Sequence, residues 1–269
     1  MYHFFSFIVF ILGLMVGSFL NCIIYRLEKE ESFLKGRSYC PYCKHVLSWQ
    51  DLIPILSFFL LKRKCRYCQK PIFWQYPLVE LVTGLIFVFV FNFLFPVFNE
   101  FSVSSFQLLT FLYYLIMSSF LIVVFVYDLK HLLIPDLVIY PAIVISFLYH
   151  LLGAIRLGNF ESLTGPLISA FSASLFFLAI VLISRGKWMG IGDIGLAFLM
   201  GLVLSWPNIF VALMLAFFVG AIIGIGLILR GKKSLKSEIP FGPFLVFGTF
   251  IALFLGERIV NWYLNFLLI

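Results

Sequence analysis

Long apolar runs constrain this chain more than any other feature of its sequence. Eight runs reach or approach the roughly 20 mostly apolar residues that a helix needs to cross a bilayer. Of the 269 residues, 63% are hydrophobic and 12% are charged, whereas about a quarter of an ordinary soluble domain is charged. A water-soluble globule could not bury so much apolar surface. This excludes a secreted enzyme, a nucleic-acid-binding domain and a disordered chain.

The runs predict an all-α polytopic membrane protein with about eight transmembrane helices. An outer-membrane barrel would instead alternate apolar and polar residues along each strand. The sixth run is short and shares a tight turn at Pro207 with the seventh. The predicted spans are Phe4–Tyr25, Pro77–Phe98, Phe106–Tyr127, Leu137–Ile155, Thr164–Ser184, Gly192–Trp206, Asn208–Leu229 and Phe244–Tyr263.

The 19 lysines and arginines predict the orientation, because basic residues collect on the cytoplasmic side of a membrane protein. Ten of them lie between Arg26 and Lys70. If that segment is cytoplasmic, eight crossings place 17 basic residues inside and leave only Arg156 and Arg258 outside. We therefore expect both termini outside and the first loop inside. The other basic residues assigned to the inside are Lys130, Arg185, Lys187, Arg230, Lys232, Lys233 and Lys236.

The sequence divides into three parts around one sizeable extramembrane segment. Residues 1–25 form the first transmembrane helix, residues 26–76 form the loop domain, and residues 77–269 form a membrane-embedded domain. The loop is too small for a generous hydrophobic core, so it needs a staple such as a metal ion. The net charge of +7 follows from the membrane orientation, so we expect the lipid bilayer and no nucleic acid as a partner.

Four of the five cysteines form two C-x-x-C pairs in this loop. Cys40 and Cys43 are separated from Cys65 and Cys68 by 21 residues. Two such pairs supply four thiolates to one tetrahedral zinc ion, and four cysteine ligands leave no open position for catalysis. We therefore predict structural zinc; a redox pair or a chance pattern is the alternative. Cys22 stands apart, as a packing residue within the first span.

Two carboxylates at the ends of predicted spans are candidate catalytic groups. Asp128 ends the third span and Asp193 begins the sixth, so both fall at the same membrane level. Carboxylates at membrane depth usually face a polar cavity or a partner. Two that lie close together favour sharing one proton, so that one takes a proton from water while the other protonates a carbonyl group. The pair is therefore suited to aspartic-protease chemistry.

Four acidic residues near the ends of the predicted spans also have a structural interpretation. Asp136 is more simply a helix N-cap, and Glu80 an interhelical hydrogen-bonding group. Asp128 alone could be an interfacial carboxylate, and Asp193 could cap the sixth helix.

Several glycine motifs have a structural interpretation. Gly190-x-Gly192-x-x-Gly195 lacks the βαβ context of a dinucleotide site. Gly13-x-x-x-Gly17 and Gly220-x-x-x-Gly224 indicate helix-packing faces, and Asn21 indicates an interhelical hydrogen bond.

Beyond these individual features, the chain resembles the bacterial type IV prepilin peptidases, which are membrane aspartic proteases of the GxGD class. The matching blocks follow the family order over most of the chain. They are Gly17-Ser-Phe-Leu-Asn21, Ile24-Tyr-Arg26, the two C-x-x-C pairs, Ser48-Trp-Gln-Asp51-Leu-Ile-Pro54, Tyr76-Pro-Leu-Val-Glu80, Asp128 with Ile134-Pro-Asp136, Gly190-x-Gly192-Asp193, and Ile239-Pro-Phe-Gly-Pro-Phe244.

The resemblance implies a multi-pass protein of the bacterial inner membrane, with Asp128 and Asp193 catalytic and with zinc on Cys40, Cys43, Cys65 and Cys68. Residues 77–269 would be the aspartic peptidase domain. The implied substrates are type IV prepilins or pseudopilins of pilus assembly, protein secretion or DNA uptake. Their short basic leader would be removed on the cytoplasmic side, after a glycine.

Many family members also methylate the new N-terminal amine with S-adenosylmethionine, an activity in which the cytoplasmic loop is implicated. No methyl-donor site is visible in this sequence. Two positions depart from the family pattern, because many members carry Lys at the position of Gly195 and Asn at the position of Leu52.

Two other classes of protein would share some of these features. A polytopic transporter also has intramembrane carboxylates, but typically near the midplane in broken helices. A membrane scaffold without protease activity could use the zinc loop to bind a partner, and would tolerate the loss of either aspartate.

Overall fold

The computed structural model of the chain describes residues 2–32, 36–95, 104–231 and 239–267. These residues form nine α-helices and two short 3₁₀ turns, at Trp49–Leu52 and Phe160–Leu163. Four positions named in the sequence analysis lie outside the described residues: Lys232, Lys233, Lys236 and the end of the second predicted span at Phe98. The helices are α1 (Tyr2–Glu28), α2 (Leu56–Leu60), α3 (Gln75–Leu94), α4 (Ser105–His131), α5 (Asp136–Leu157), α6 (Thr164–Ser184), α7 (Ile191–Leu204), α8 (Asn208–Leu229) and α9 (Gly242–Leu267).

Seven of these helices, all except α2 and α7, are long and apolar enough to cross a membrane. The all-α polytopic class is therefore confirmed. The sixth predicted span is also a helix, α7, but its 14 residues extend only about 21 Å against a hydrocarbon thickness of about 30 Å. Helix α7 ends early because Ser205 adopts a positive φ of 57° immediately before the Trp206–Pro207 turn.

The described chain separates into two compact units, residues 1–123 and 124–269, with the boundary inside α4. The first unit contains α1, the cysteine-rich loop and α3. The second unit contains α5 to α9 and the end of α4, where Asp128 lies.

Glycines set the contact between α1 and α3 in the first unit. A Cβ atom on Gly13 would lie 2.7 Å from the Cα of Gly84, and one on Gly17 would lie 2.7 Å from the Cα of Glu80. The two backbones therefore touch, which confirms Gly13-x-x-x-Gly17 as a packing face. The side-chain amide of Asn21 donates to the carbonyl oxygen of Tyr76 at 3.0 Å, which confirms the predicted interhelical hydrogen bond.

The second predicted glycine face lies between α8 and the start of α9. A Cβ atom on Gly220 would lie 3.1 Å from the Phe244 ring, so this glycine is confirmed as a close-packing position. A Cβ atom on Gly224 would lie 3.8 Å from Ile239 Cδ1, which is an ordinary van der Waals distance. Only the first glycine of the motif is therefore required by the packing.

We expect Gly13→Ala to lower the free energy of unfolding by about 1–3 kcal/mol, because the added methyl group would overlap the α3 backbone. Gly226→Ala is the matched control, because nothing lies within 4 Å of a Cβ at that helical position. The midpoint of thermal denaturation in detergent measures both effects. Equal midpoints for the two variants would contradict the close α1–α3 contact.

Candidate functional site

The structure brings Asp128 and Asp193 together, although 65 positions separate them in the sequence. Asp128 lies one turn before the end of α4, and Asp193 is the third residue of α7. Both side chains are buried, with 4% and 7% of their surface exposed. The two carboxyl groups are close enough for a direct electrostatic interaction. The arrangement therefore forms a buried acidic pair within the second unit.

Each carboxylate accepts a backbone N–H at the beginning of a helix. Oδ2 of Asp193 accepts the N–H of Gly190, the N-cap residue of α7, at 3.2 Å. Asp128 accepts the N–H of Gly242, the first residue of α9. Amide groups in a first helical turn have no intrahelical acceptor, and the helix dipole is positive there. Two helix N-termini therefore stabilise the acidic pair.

Glycines allow the backbone to approach this pair closely. A Cβ atom on Gly242 would lie 2.5 Å from Oδ2 of Asp128, and one on Gly192 would lie 2.9 Å from Cβ of Ile134. Any side chain at position 242 would displace the carboxylate. A side chain at position 192 would push α7 away from the loop that follows α4. Gly192 of the Gly190-x-Gly192-Asp193 motif is therefore required by the packing of α7 against Ile134.

The other two candidate acids lie in different surroundings. Asp136 is exposed and is the first residue of α5, whose N-cap is Pro135. The N-cap prediction for Asp136 is therefore wrong by one residue, because Pro135 takes the extended conformation that precedes the helix. Glu80, in the first unit, is buried and accepts the N–H of Ile55 at 2.7 Å and the side chain of Ser18 in α1. Its predicted role as an interhelical hydrogen-bonding group is confirmed.

The four cysteines of the loop form one cluster. Their sulfur atoms all lie within 4.8 Å of one another, and those of Cys40 and Cys68 are 3.9 Å apart. Four sulfurs at about 2.3 Å from one zinc ion would be separated by about 3.8 Å in a tetrahedron. The distances therefore fit one metal ion and no disulfide bond, and the four cysteines are free thiols.

The two C-x-x-C turns have the same local structure, although the sequence shows no convincing repeat. Each is closed by one antiparallel bridge, between Tyr39 and Val46 or between Lys64 and Pro71. In each, the residue after the second cysteine, Lys44 or Gln69, has a φ of 58°. The N–H of the first cysteine donates to the carbonyl five residues later at 2.9 Å in both turns. The loop therefore presents two equivalent cysteine turns to one point.

The backbone around Cys40 favours a thiolate. Burial alone would raise the pKa of the Cys40 thiol, but the N–H groups of Cys43 and Tyr42 donate to its sulfur and lower the pKa to about 7. Zinc binds the deprotonated sulfur, and such hydrogen bonds stabilise it. The donor set and its surroundings therefore fit a structural zinc ion.

A hydrogen-bond network ties the segment between the turns to the second turn. Nε of Arg66 donates to Oδ1 of Asp51 at 2.8 Å, and the Tyr67 hydroxyl and Ser48 donate to Oδ2. Burial alone would raise the pKa of Asp51, but the hydrogen bonds from Arg66, Ser48 and Tyr67 outweigh it and hold the pKa below its ordinary value. The Ser48–Pro54 segment of the resemblance is therefore a structural element of the loop.

A cavity of about 160 Å³ lies inside the first unit, between the cysteine turns and the first turns of α3. Its wall includes Asn21, Tyr25, Tyr76 and Glu80, together with Cys40 of the first turn. Polar, aromatic and aliphatic groups thus surround a space that the sequence analysis did not predict. Asn21, Tyr76 and Glu80 belong to blocks that carry the family resemblance. Only the packing of α1 on α3 brings these blocks to the same cavity.

Gly242 is the functional residue that sequence reasoning did not single out. It lies in the Ile239–Phe244 block, which marked the resemblance without indicating a role. Its contact with Asp128 joins α4 to the beginning of α9, and nothing in the spacing of the two residues predicts it. The paired prolines around Phe241 and Gly242 were the only available signal.

The fold and this site define a polytopic membrane protein with a buried carboxylate pair and a cysteine cluster. Residues 11–94 match the family model of the bacterial peptidase A24 N-terminal domain, and residues 115–225 match that of the type IV leader peptidase family. No solved structure matches the chain.

Curated relatives match nearly the whole chain. A prepilin leader peptidase/N-methyltransferase of Aeromonas hydrophila is 34% identical, covering 97% of this chain and 94% of the relative. A protein of the same name from Bacillus subtilis is 33% identical, over 96% of this chain and 97% of the relative. One from Pseudomonas aeruginosa is 29% identical, over 95% and 92%. The chain therefore belongs to the type IV leader peptidase family, and it is a multi-pass membrane peptidase.

We expect Cys40→Ser to lower both the bound zinc and the yield of folded protein, because metal binding supplies folding free energy in small modules of this kind. Cys22→Ser is the matched control, because Cys22 lies outside the cluster. Metal analysis of purified protein measures zinc, and size-exclusion chromatography measures folded yield. Wild-type protein without zinc, together with unchanged yield of Cys40→Ser, would contradict the prediction.

Proposed function

We propose that this enzyme removes the short basic leader of type IV prepilins or pseudopilins, with Asp128 and Asp193 as its catalytic pair. The observation that carries the proposal is the buried pair of interacting carboxyl groups, which accept backbone N–H groups from the starts of α7 and α9. The family match supports a peptidase and argues against the transporter and the scaffold without protease activity.

Two buried carboxyl groups in electrostatic contact favour one shared proton. The ionised carboxylate takes a proton from water as the water oxygen attacks the scissile carbonyl carbon. The neutral carboxyl group gives its proton to the carbonyl oxygen. When the tetrahedral intermediate collapses, the peptide C–N bond breaks, and the leaving amine receives the proton that the first carboxylate took from water. A hydroxyl proton of the intermediate returns to the other carboxylate, so the pair again holds one proton. The pair thus supplies both the general base and the general acid.

Sidedness belongs to the same proposal. The basic residues support a cytoplasmic loop at 26–76 and a cytoplasmic catalytic pair, with the N-terminus outside. This scheme uses α7 as one of eight crossings, so a short helix would have to traverse a locally thin or protein-lined region. Residues 77–269 would then form the peptidase domain. The four loop cysteines would hold a structural zinc ion that takes no part in peptide cleavage.

We expect Asp128→Asn and Asp193→Asn each to lower the rate of leader removal at least about 100-fold, because asparagine keeps the shape of the side chain but cannot carry the shared proton. Asp136→Asn is the matched control, because Asp136 is exposed. Co-expression with a prepilin, followed by mass spectrometry of the substrate N-terminus, measures cleavage.

Leader removal by a folded Asp128→Asn or Asp193→Asn enzyme at the wild-type rate would contradict this assignment. A substrate that wild-type enzyme leaves intact would contradict the proposed substrate class. Loss of activity in Asp136→Asn with full activity in Asp128→Asn would move the first catalytic acid to position 136.

The same enzyme is proposed to methylate the new N-terminal amine, and the cavity of the first unit is the observation that favours this activity. S-adenosylmethionine, when bound, would supply an electrophilic methyl group on a cationic sulfonium centre, with S-adenosylhomocysteine as the leaving group. A carboxylate and tyrosine rings suit a cation, and the cavity offers Glu80, Tyr25 and Tyr76. Glu80 would accept the proton that the amine loses, and the aromatic rings would exclude water.

We expect Glu80→Gln to slow methylation while leader removal continues, because glutamine keeps an acceptor for the Ile55 N–H but is not a base. The rate at which a methyl group, of about 14 Da, appears on the cleaved substrate should fall at least about 100-fold. Glu161→Gln, at an exposed turn, is the control. Methylation at the wild-type rate in Glu80→Gln would contradict the proposal, as would equal loss of cleavage and methylation.

A further inference from the structure

Helix α2 and its neighbours expose large apolar side chains outside the predicted spans. The exposed fractions are 72% for Trp49, 53% for Leu56, 58% for Phe59 and 70% for Leu60. Phe58 faces the other way and is 4% exposed, so it packs inside the loop while its neighbours remain uncovered. A contiguous exposed apolar surface of this kind marks an interaction with a partner or a membrane.

Contacts within the first unit fix α2 against the beginning of α3. The Phe58 ring lies 5.1 Å from the ring of Trp74, the residue that precedes α3. The guanidinium group of Arg63 lies 4.8 Å from the centre of the same Trp74 ring, and the N–H of Ile72 donates to the Arg63 carbonyl at 2.7 Å. The middle of α2 and the segment that follows it are therefore tied to the point where a transmembrane helix begins.

A further hydrogen bond places the start of α2 beside α3 rather than beyond its end. The N–H of Ile55 donates to Oε2 of Glu80 at 2.7 Å, and Glu80 follows Gln75 by five positions. Five helical residues rise about 7.5 Å. Interfacial helices bury their apolar face about 5–10 Å into the boundary between headgroups and acyl chains. The rise of about 7.5 Å from the start of α3 to Glu80, where α2 is attached, lies within that range.

The charge next to α2 has one sign. Lys62, Arg63 and Lys64 follow the C-cap residue of the helix, Leu61, and all three are exposed. Between positions 49 and 74 there are five basic residues and one acid, Asp51, which is paired with Arg66. Apolar side chains flanked by lysine and arginine are typical of segments that bind an anionic membrane surface. The charge therefore favours a lipid partner over a protein partner.

We propose that α2, with Trp49, Phe59 and Leu60, inserts into the bilayer leaflet at which α3 begins, while Lys62 and Lys64 bind anionic phospholipid headgroups. This interfacial anchor holds the cysteine cluster at the membrane surface through the Phe58–Trp74 and Ile55–Glu80 contacts. The inference does not depend on the roles proposed for Asp128 and Asp193, on the proposed methylation, or on the side of the membrane to which the loop is assigned.

The test uses the full-length protein with the photoreactive residue p-benzoylphenylalanine at position 59, in place of Phe59. The matched control carries it at position 67, in place of Tyr67, an exposed aromatic residue of the second cysteine turn. Both proteins are reconstituted into vesicles of phosphatidylcholine with phosphatidylglycerol, irradiated and analysed by mass spectrometry. We expect at least a tenfold higher yield of lipid adduct at position 59.

A second pair of measurements tests the charged part of the anchor. The yield at position 59 should fall when phosphatidylglycerol is omitted, and K62Q/K64Q should remove this dependence on lipid charge. Size-exclusion profiles identical to wild type show that the variants are folded. Peptide crosslinks from position 59 without lipid adducts would overturn the proposal, as would equal lipid yields at positions 59 and 67.

Discussion

Burial of two carboxyl groups inside a helical membrane protein is the constraint on which the rest of the second unit depends. A carboxylate removed from water is unstable unless hydrogen bonds replace its hydration. Here the replacements are N–H groups at the starts of α7 and α9, which have no acceptors within their own helices. The helices that create the site therefore also stabilise it. Gly242 lies where a side chain would displace the Asp128 carboxylate.

The first unit solves a different problem by related means. Its loop is too small to fold around an apolar core, so two equivalent cysteine turns converge on one point. Backbone N–H groups stabilise the Cys40 sulfur, and the network around Asp51 connects the intervening segment to the second turn. Glycine contacts between α1 and α3 provide a rigid base, and Glu80 links that base to α2. These contacts therefore connect the loop that carries the cysteine cluster to the membrane helices α1 and α3.

Much of this architecture could be predicted from local sequence. Long apolar runs predicted the helices, and the spacing of the cysteines predicted their cluster, because both properties depend on neighbouring residues. The short α7 was predicted to within two residues at each end, and it stops two residues before Trp206 because Ser205 adopts a positive φ. The N-cap of α5 was misassigned for a similar reason, because proline and aspartate both suit a helix start and only the backbone distinguishes their positions.

The sequence by itself determined the membrane class, and it predicted the cysteine cluster and the two acids that form the buried pair, through composition, spacing and a match in family order. Only the tertiary structure decided that Gly242 contacts Asp128, that Glu80 holds Ile55, and that α2 lies beside the start of α3. Those contacts join segments far apart in the chain, and their distances depend on how helix backbones pack. Residue spacing carries no information about such packing, whereas the hydrophobic and metal-binding patterns are local properties of the chain.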